Sequence, residues 1–217
     1  MPARLIPSSV LVELHFFPCI AYFVYMQQAE WFIIEQHENF QKQSYRNRCF
    51  ILGANKVQSL TVPVEKGRKG LPVRDVRIDY TQNWQQEHWH TLQSAYGKSP
   101  YYAYFEEEFR KIYARQPVYL WDLNWAILTK CRELLQLQDK MVVLSDQFEK
   151  RPSGAINDLR STFKARKSAF QENLSYASPY VQVFGNKFVK NLSVIDVLFC
   201  EGMNAKSVIM RSGVRAY

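Results

Sequence analysis

From Glu35 to Arg48 the chain reads Glu-Gln-His-Glu-Asn-Phe-Gln-Lys-Gln-Ser-Tyr-Arg-Asn-Arg, its densest run of ionisable and hydrogen-bonding side chains. Glu35 and His37 are two residues apart, so on an extended segment they share a face. A carboxylate there can orient an imidazole whose pKa lies near working pH, which makes the pair the preferred general base. Lys42, Arg46 and Arg48 follow as fixed positive charge, and the planar guanidinium fork matches phosphate oxygens. Extended geometry sends Arg46 and Arg48 to one side with Asn47 opposite, so both can share a single anion such as a nucleotide diphosphate. The competing reading is a solvated charge run, or ion pairs with Glu35 and Glu38.

The remaining histidines are His15, His88 and His90. His15 follows a short apolar run and joins the same group from a neighbouring strand end, as a substrate contact. His88-Trp89-His90 invites a metal, yet residues two apart on a helix point about 200° away from each other. Only one of the two can face a cleft, and no metal is assigned; Glu35, His37 and His88 are the ligands a metal would use. His88 stands as the second candidate base. Trp84, Tyr96, Tyr101 and Tyr102 offer a wall for a sugar or a base, although such rings are more often core. Asp122 and Asn124 read as helix caps rather than hydroxyl contacts. Cys19, Cys49, Cys131 and Cys200 are scattered, which suggests neither a zinc site nor a disulfide framework and fits a reducing cytoplasm. Apolar neighbours make Cys19 and Cys49 structural thiols rather than nucleophiles.

The elements that must position these groups are legible from periodicity. Val10 to Leu14, a helix opened by Pro18 and running through Met26, and Trp31 to Ile34 read as a βαβ unit, with His15 and Glu35 at strand carboxyl ends. Open α/β sheets bind ligands there. Cys49–Leu52 and Leu60–Val64 read as a hairpin, the basic loop Lys66–Gly70 as solvated, and Val73–Ile78 as an alternating strand. A helix capped by Asn83 and closed by Gly97 carries His88. A second follows Ser99-Pro100 to about Ala114, with Glu106 facing Arg110 and Glu107 facing Lys111. A third runs from Leu120 to Leu137, Met141–Leu144 is a short strand, and residues 150–170 resist assignment. Ser193 and Asp196 begin a last helix closed by Gly202, and the tail beyond it reads as poorly ordered.

The chain has 217 residues, 47% apolar and 22% charged, which is ordinary for a folded protein and points to one domain over residues 1–217. Its net charge of +8 attracts anions. The apolar stretch Val10–Met26 contains Glu13, His15 and Pro18, which disfavours both a membrane span and a signal peptide. No Gly-rich phosphate loop, dinucleotide fingerprint or Ser-centred hydrolase elbow occurs.

Several blocks, in order, carry a resemblance: His15-Phe16-Phe17-Pro18 with Tyr22; Lys42-Gln43-Ser44-Tyr45-Arg46-Asn47-Arg48; Leu60-Thr61-Val62-Pro63-Val64; Trp84, His88-Trp89 and Ser94-Ala95-Tyr96; Ser99-Pro100-Tyr101-Tyr102; Asp122-Leu123-Asn124; and Asn191-Leu192-Ser193 with Asp196 and Leu198-Phe199. Together they resemble the WbqC-like protein family. That resemblance implies a bacterial cytoplasmic role in lipopolysaccharide O-antigen or modified-sugar biosynthesis, as group transfer onto an activated sugar.

The expectation is therefore an α/β fold with a mixed, partly parallel central sheet flanked by helices. Its cleft would bind a phosphorylated or nucleotide-linked amino sugar through His15, Lys42, Arg46, Arg48, Trp84, Tyr96 and Tyr101. His37 with Glu35, or His88, would deprotonate the amine for acyl or aminoacyl transfer. No cofactor is specified, and no nucleic acid is expected as a partner. The rival readings are a nucleic-acid-binding module built on the same cations and aromatics, and a noncatalytic scaffold for sugar-modifying enzymes.

Overall fold

A computed structural model of the chain describes residues 9–66, 70–166, 172 and 174–214. Of the expected basic loop, Gly67 to Lys69 lie outside the described residues.

Val10-Leu11-Val12 and Phe32-Ile33-Ile34 are apolar at successive positions, the pattern of strands covered on both faces. They form β1 (Ser9–Glu13) and β2 (Trp31–Glu35), paired in parallel with Leu11 opposite Ile33 and Glu13 opposite Glu35. The crossover is helix α1 (Ile20–Gln28), buried from Ile20 through Met26. Its first turn has no acidic residue and no side-chain cap from its own N-cap residue, Cys19. Instead Ile20 N donates to Leu192 O at 3.0 Å and Ala21 N to Asn191 Oδ1 at 2.8 Å, so a distant segment satisfies the orphan amides.

A hairpin follows, β3 (Arg48–Leu52) with β4 (Val57–Thr61). Helices α2 (Trp84–Tyr96), α3 (Tyr102–Ala114) and α4 (Leu120–Leu134) come next. Strands β5 (Met141–Leu144) and β6 (Ile156–Asp158) then extend the first pair on both sides, giving a four-stranded sheet in the order β5-β2-β1-β6 with every pairing parallel. The fold is α/β, with the antiparallel pairs β3-β4 and β7 (Leu174–Tyr176) with β8 (Gly213–Val214) standing apart from the parallel sheet. Helices α5 (Val194–Glu201) and α6 (Ala205–Arg211) close the chain. Ser193 caps α5, its hydroxyl accepting from Ile195 N.

Several local expectations are corrected. Val73–Ile78 is not a strand: Val73–Asp75 forms a 3-10 turn, and Ile78 makes only an isolated bridge to Val64. Asn83 does not cap α2 with its side chain, which bonds Gln86 instead. Lys111 pairs with Glu108 rather than Glu107. Residues 150–170 contain β6, and the tail after Gly202 folds into α6 and β8. Among the described residues, no helix is long and apolar enough to cross a membrane.

Side-chain alternation gives the parallel sheet two unlike faces. Val10, Val12, Phe32 and Ile34 are fully or nearly fully buried, and Phe32 meets Tyr22 of α1 at 5.0 Å between ring centroids. The opposite face carries Leu11 and Glu13 from β1, Ile33 and Glu35 from β2, and Val143 from β5. Along the strand direction this face changes from aliphatic to carboxylate.

Candidate functional site

The register sets Glu13 beside Glu35 at the carboxyl ends of adjacent strands, where two bare carboxylates would repel. Each has its own cation. Arg46 Nη1 lies 3.5 Å from Glu13 Oε1, and Ser161 N donates to Glu13 Oε2 at 3.0 Å. The same guanidinium clamps Glu38, with Nε to Oε1 at 2.7 Å and Nη2 to Oε2 at 2.5 Å. Arg46 is 1% exposed, and α4 pins its carbonyl through Asn124 Nδ2 at 2.7 Å. Burial works against ionisation of Glu13, but the charge of Arg46 and the contact with His15 outweigh it and bring its pKa down to about 2.

Glu35 is equally buried and fully ligated. Its Oε1 accepts from Ser145 Oγ at 2.8 Å and from His37 N at 2.8 Å, and its Oε2 from Arg160 Nη1 at 2.9 Å. Arg160 also holds Asp158 and the carbonyl of Glu149. This second network joins the ends of β2, β5 and β6.

His15 sits at the centre of the first network and is fully buried. Its ring is stacked on Tyr45 at 5.0 Å, tilted to Tyr22 at 4.6 Å and edge-on to Phe163 at 5.1 Å. Burial lowers its pKa against the pull of Glu13, so the imidazole is neutral. Nε2 stands 3.5 Å from Glu13 Oε1, at the outer limit of a hydrogen bond, and Nδ1 has no hydrogen-bond partner among the described residues. Unsatisfied buried polar atoms cost about 1–3 kcal/mol each, a cost rarely tolerated in a purely structural core.

The residues singled out from sequence separate into two groups. His37 lies beside Glu35, but the carboxylate binds its backbone amide; the exposed ring turns Nε2 to Ser145 O at 3.1 Å. Arg46 joins His15 through Glu13, and its charge is engaged by carboxylates rather than free for an anion. Arg48 is half-buried on β3 with Nε on Thr61 Oγ1, so the two arginines have different partners; Lys42 is exposed.

His88, Trp84, Tyr96 and Tyr101 lie elsewhere. His88 is buried, with Nδ1 to Tyr113 Oη and Nε2 to Thr61 O, both at 3.2 Å, and burial pushes its pKa down to about 4. Trp84 packs on it edge-on at 5.0 Å. Tyr96 is a core residue that donates to Asp196 Oδ1 at 2.7 Å. Tyr101 is partly exposed and lies over Gly202, where an added Cβ would stand 2.6 Å from the ring. Asn124 is no cap: it is buried inside α4 and holds Arg46. Among the described residues, no group of three or more His, Cys, Asp or Glu side chains is placed to hold a metal. The four cysteines are buried and free, and burial drives the Cys19 thiol up to about 12.

The ion pair of Arg46 with Glu38 is the competing reading of the basic run; Glu13, Ser145 and Arg160 are the members that sequence reasoning missed, and Asn124 it read as a cap. Glu13 left one signal, a carboxylate closing an otherwise apolar strand. Arg160 left none, since it lies in the segment whose periodicity is uninformative.

Comparison with known proteins places this geometry in context. The sequence profile of the WbqC-like protein family matches residues 14–168. The uncharacterized protein Rv1507c of Mycobacterium tuberculosis is 30% identical over 107 residues, covering 49% of this chain and 46% of that relative. The matched region is thus about half the length of the curated relative. No solved structure matches the chain. The profile match covers well over half of the chain and encloses His15, Glu35, Glu38, Arg46, Asn124, Ser145 and Arg160, and on that ground the chain belongs to the WbqC-like protein family.

Proposed function

We propose that the protein is a cytoplasmic transferase of bacterial surface-polysaccharide or modified-sugar biosynthesis, moving an acyl or aminoacyl group onto the amine of a nucleotide-linked amino sugar. The observation that carries this reading is His15: a buried imidazole, its pKa lowered by burial, at the carboxyl end of a parallel strand, with Nε2 3.5 Å from an ionised Glu13 and Nδ1 without a hydrogen-bond partner among the described residues. A neutral ring has a lone pair to accept the ammonium proton, and the carboxylate stabilises the imidazolium that forms. The freed amine then bonds to the acyl carbon as the donor's leaving group departs. Positioned bases of this kind contribute about 10² to 10⁴-fold in rate.

His15 takes the role of base in preference to His37, whose Nε2 meets the Ser145 carbonyl rather than Glu35, and to His88, whose nitrogens are both engaged. Arg46 and Glu38 position Glu13, while Lys42 and Arg48 supply charge for the nucleotide phosphates. Phe163 packs edge-on against the imidazole, and Ser161 N holds Glu13.

The test begins with a thermal-shift screen against nucleotide-linked amino sugars and acyl coenzyme A thioesters, followed by turnover of the stabilising pair. His15→Asn is expected to lower turnover at least 100-fold with the fold intact. Unchanged turnover in that variant overturns the assignment.

A further inference from the structure

On the carboxylate-bearing face of the parallel sheet, two residues before Glu13 and Glu35, lies a cavity of about 260 Å³. Leu11, Ile33 and Val143 form its floor from three adjacent strands, and Leu144, Pro152 and Ile156 complete the aliphatic lining. Alternation puts Leu11 with Glu13, and Ile33 with Glu35, on one face. The cavity therefore runs into the Glu35–Ser145–Arg160 network about 7 Å further along the strands. Ser145 belongs to both, lining the cavity while donating to Glu35 at 2.8 Å.

We propose that this cavity is the subsite for a neutral aliphatic acyl chain, whose carbonyl end lies against Ser145, the lining residue that belongs to the Glu35 network. The inference rests on the transfer reaction proposed above and names the donor's chemical class. The six aliphatic lining residues match a hydrocarbon chain, and the polar ones, Ser145, Asp146, Gln147 and Glu149, suit its carbonyl end. The carboxylates disfavour the free acid: Asp146 and Glu149 line the cavity, Glu35 and Glu13 follow two residues beyond its floor, and Arg160 is already engaged by Asp158 and Glu35. Lys150 and Arg151 follow in the covering loop but do not line the cavity. An ester or thioester carries no such charge and meets no repulsion.

The test uses unreactive probes, the straight-chain primary amides from butanamide to decanamide, titrated into the full chain by calorimetry. Affinity is expected to rise about fourfold per added methylene until the cavity is filled and then to level off. The matching carboxylates should bind more weakly at every length. Val143→Trp fills the floor and should abolish the chain-length dependence; Ile156→Trp, on the edge strand β6, is the second variant in case the first does not fold. The His15→Asn variant should keep the dependence, which separates failure of the transfer reading from failure of this one. A flat response to chain length in the unmodified protein, or an unchanged response in a folded cavity-filling variant, overturns the proposal.

Discussion

Asn124 Nδ2 donates to the carbonyl oxygen of Arg46 at 2.7 Å, so helix α4 fixes the origin of the side chain that pairs with both Glu13 and Glu38. The bond is buried and spans 78 positions of sequence. Asn124→Leu should cost about 1–3 kcal/mol of unfolding free energy in urea, since the carbonyl is left without this donor. It should also lower turnover with little change in substrate affinity, because it acts through Arg46 rather than on substrate.

Glu13→Gln tests the first network directly. The substitution removes one of the two carboxylates paired with buried Arg46 and leaves Glu38 as its remaining counter-charge, so the cost in chemical denaturation should fall at or below the lower end of the roughly 3–5 kcal/mol typical of a fully broken buried pair. The pH dependence has a definite sign. The folded pKa of about 2 lies below the ordinary carboxylate value of 4.5, so the stabilisation is complete above pH 4.5 and is lost as pH falls toward 2. That loss amounts to roughly 3 kcal/mol and should vanish in Glu13→Gln.

His88 governs the adjoining window. Its folded pKa of about 4 lies below the ordinary 6.5, so the unfolded chain binds the extra proton and stability falls as pH drops from 6.5 to 4. His88→Gln should reduce the decline in unfolding free energy across that range by roughly 3 kcal/mol, and the part that remains includes His15, whose pKa burial also lowers.

Tyr96→Phe separates a core role from a sugar-contacting one. Tyr96 Oη donates to Asp196, which is buried with Tyr180 and Gln182 as its other donors. Removing the hydroxyl should destabilise the fold by about 1–3 kcal/mol and leave KM for the amino sugar unchanged.

The backbone was more legible than the chemistry. Val10–Leu14 and Trp31–Ile34 announce a parallel pair because strands buried on both faces carry apolar residues at nearly every position, and the structure shifts the first by one residue to Ser9–Glu13 and extends the second to Glu35. The βαβ placement of His15 and Glu35 at strand carboxyl ends follows from that pairing. What sequence could not show is which side chains turn inward. Arg46 and Lys42 look alike in a basic run, yet Arg46 is buried because Glu13 and Glu38 close on it and Asn124 holds its backbone. Those partners come from three separate segments. Val73–Ile78 was misread for the opposite reason: its alternation is local, but it has no continuous strand to pair with and bridges only at single residues.

The first turn of α1 depends on acceptors at Asn191 and Leu192, and Ser193 N in turn donates to Phe50 O. A nascent chain emerging from the ribosome therefore cannot complete its earliest helix until almost all of it has been synthesised. Until then the apolar stretch from Ile20 to Met26 is a natural target for chaperones. A fragment trimmed to residues 14–168, the span of the family match, would lack those acceptors and should aggregate rather than fold.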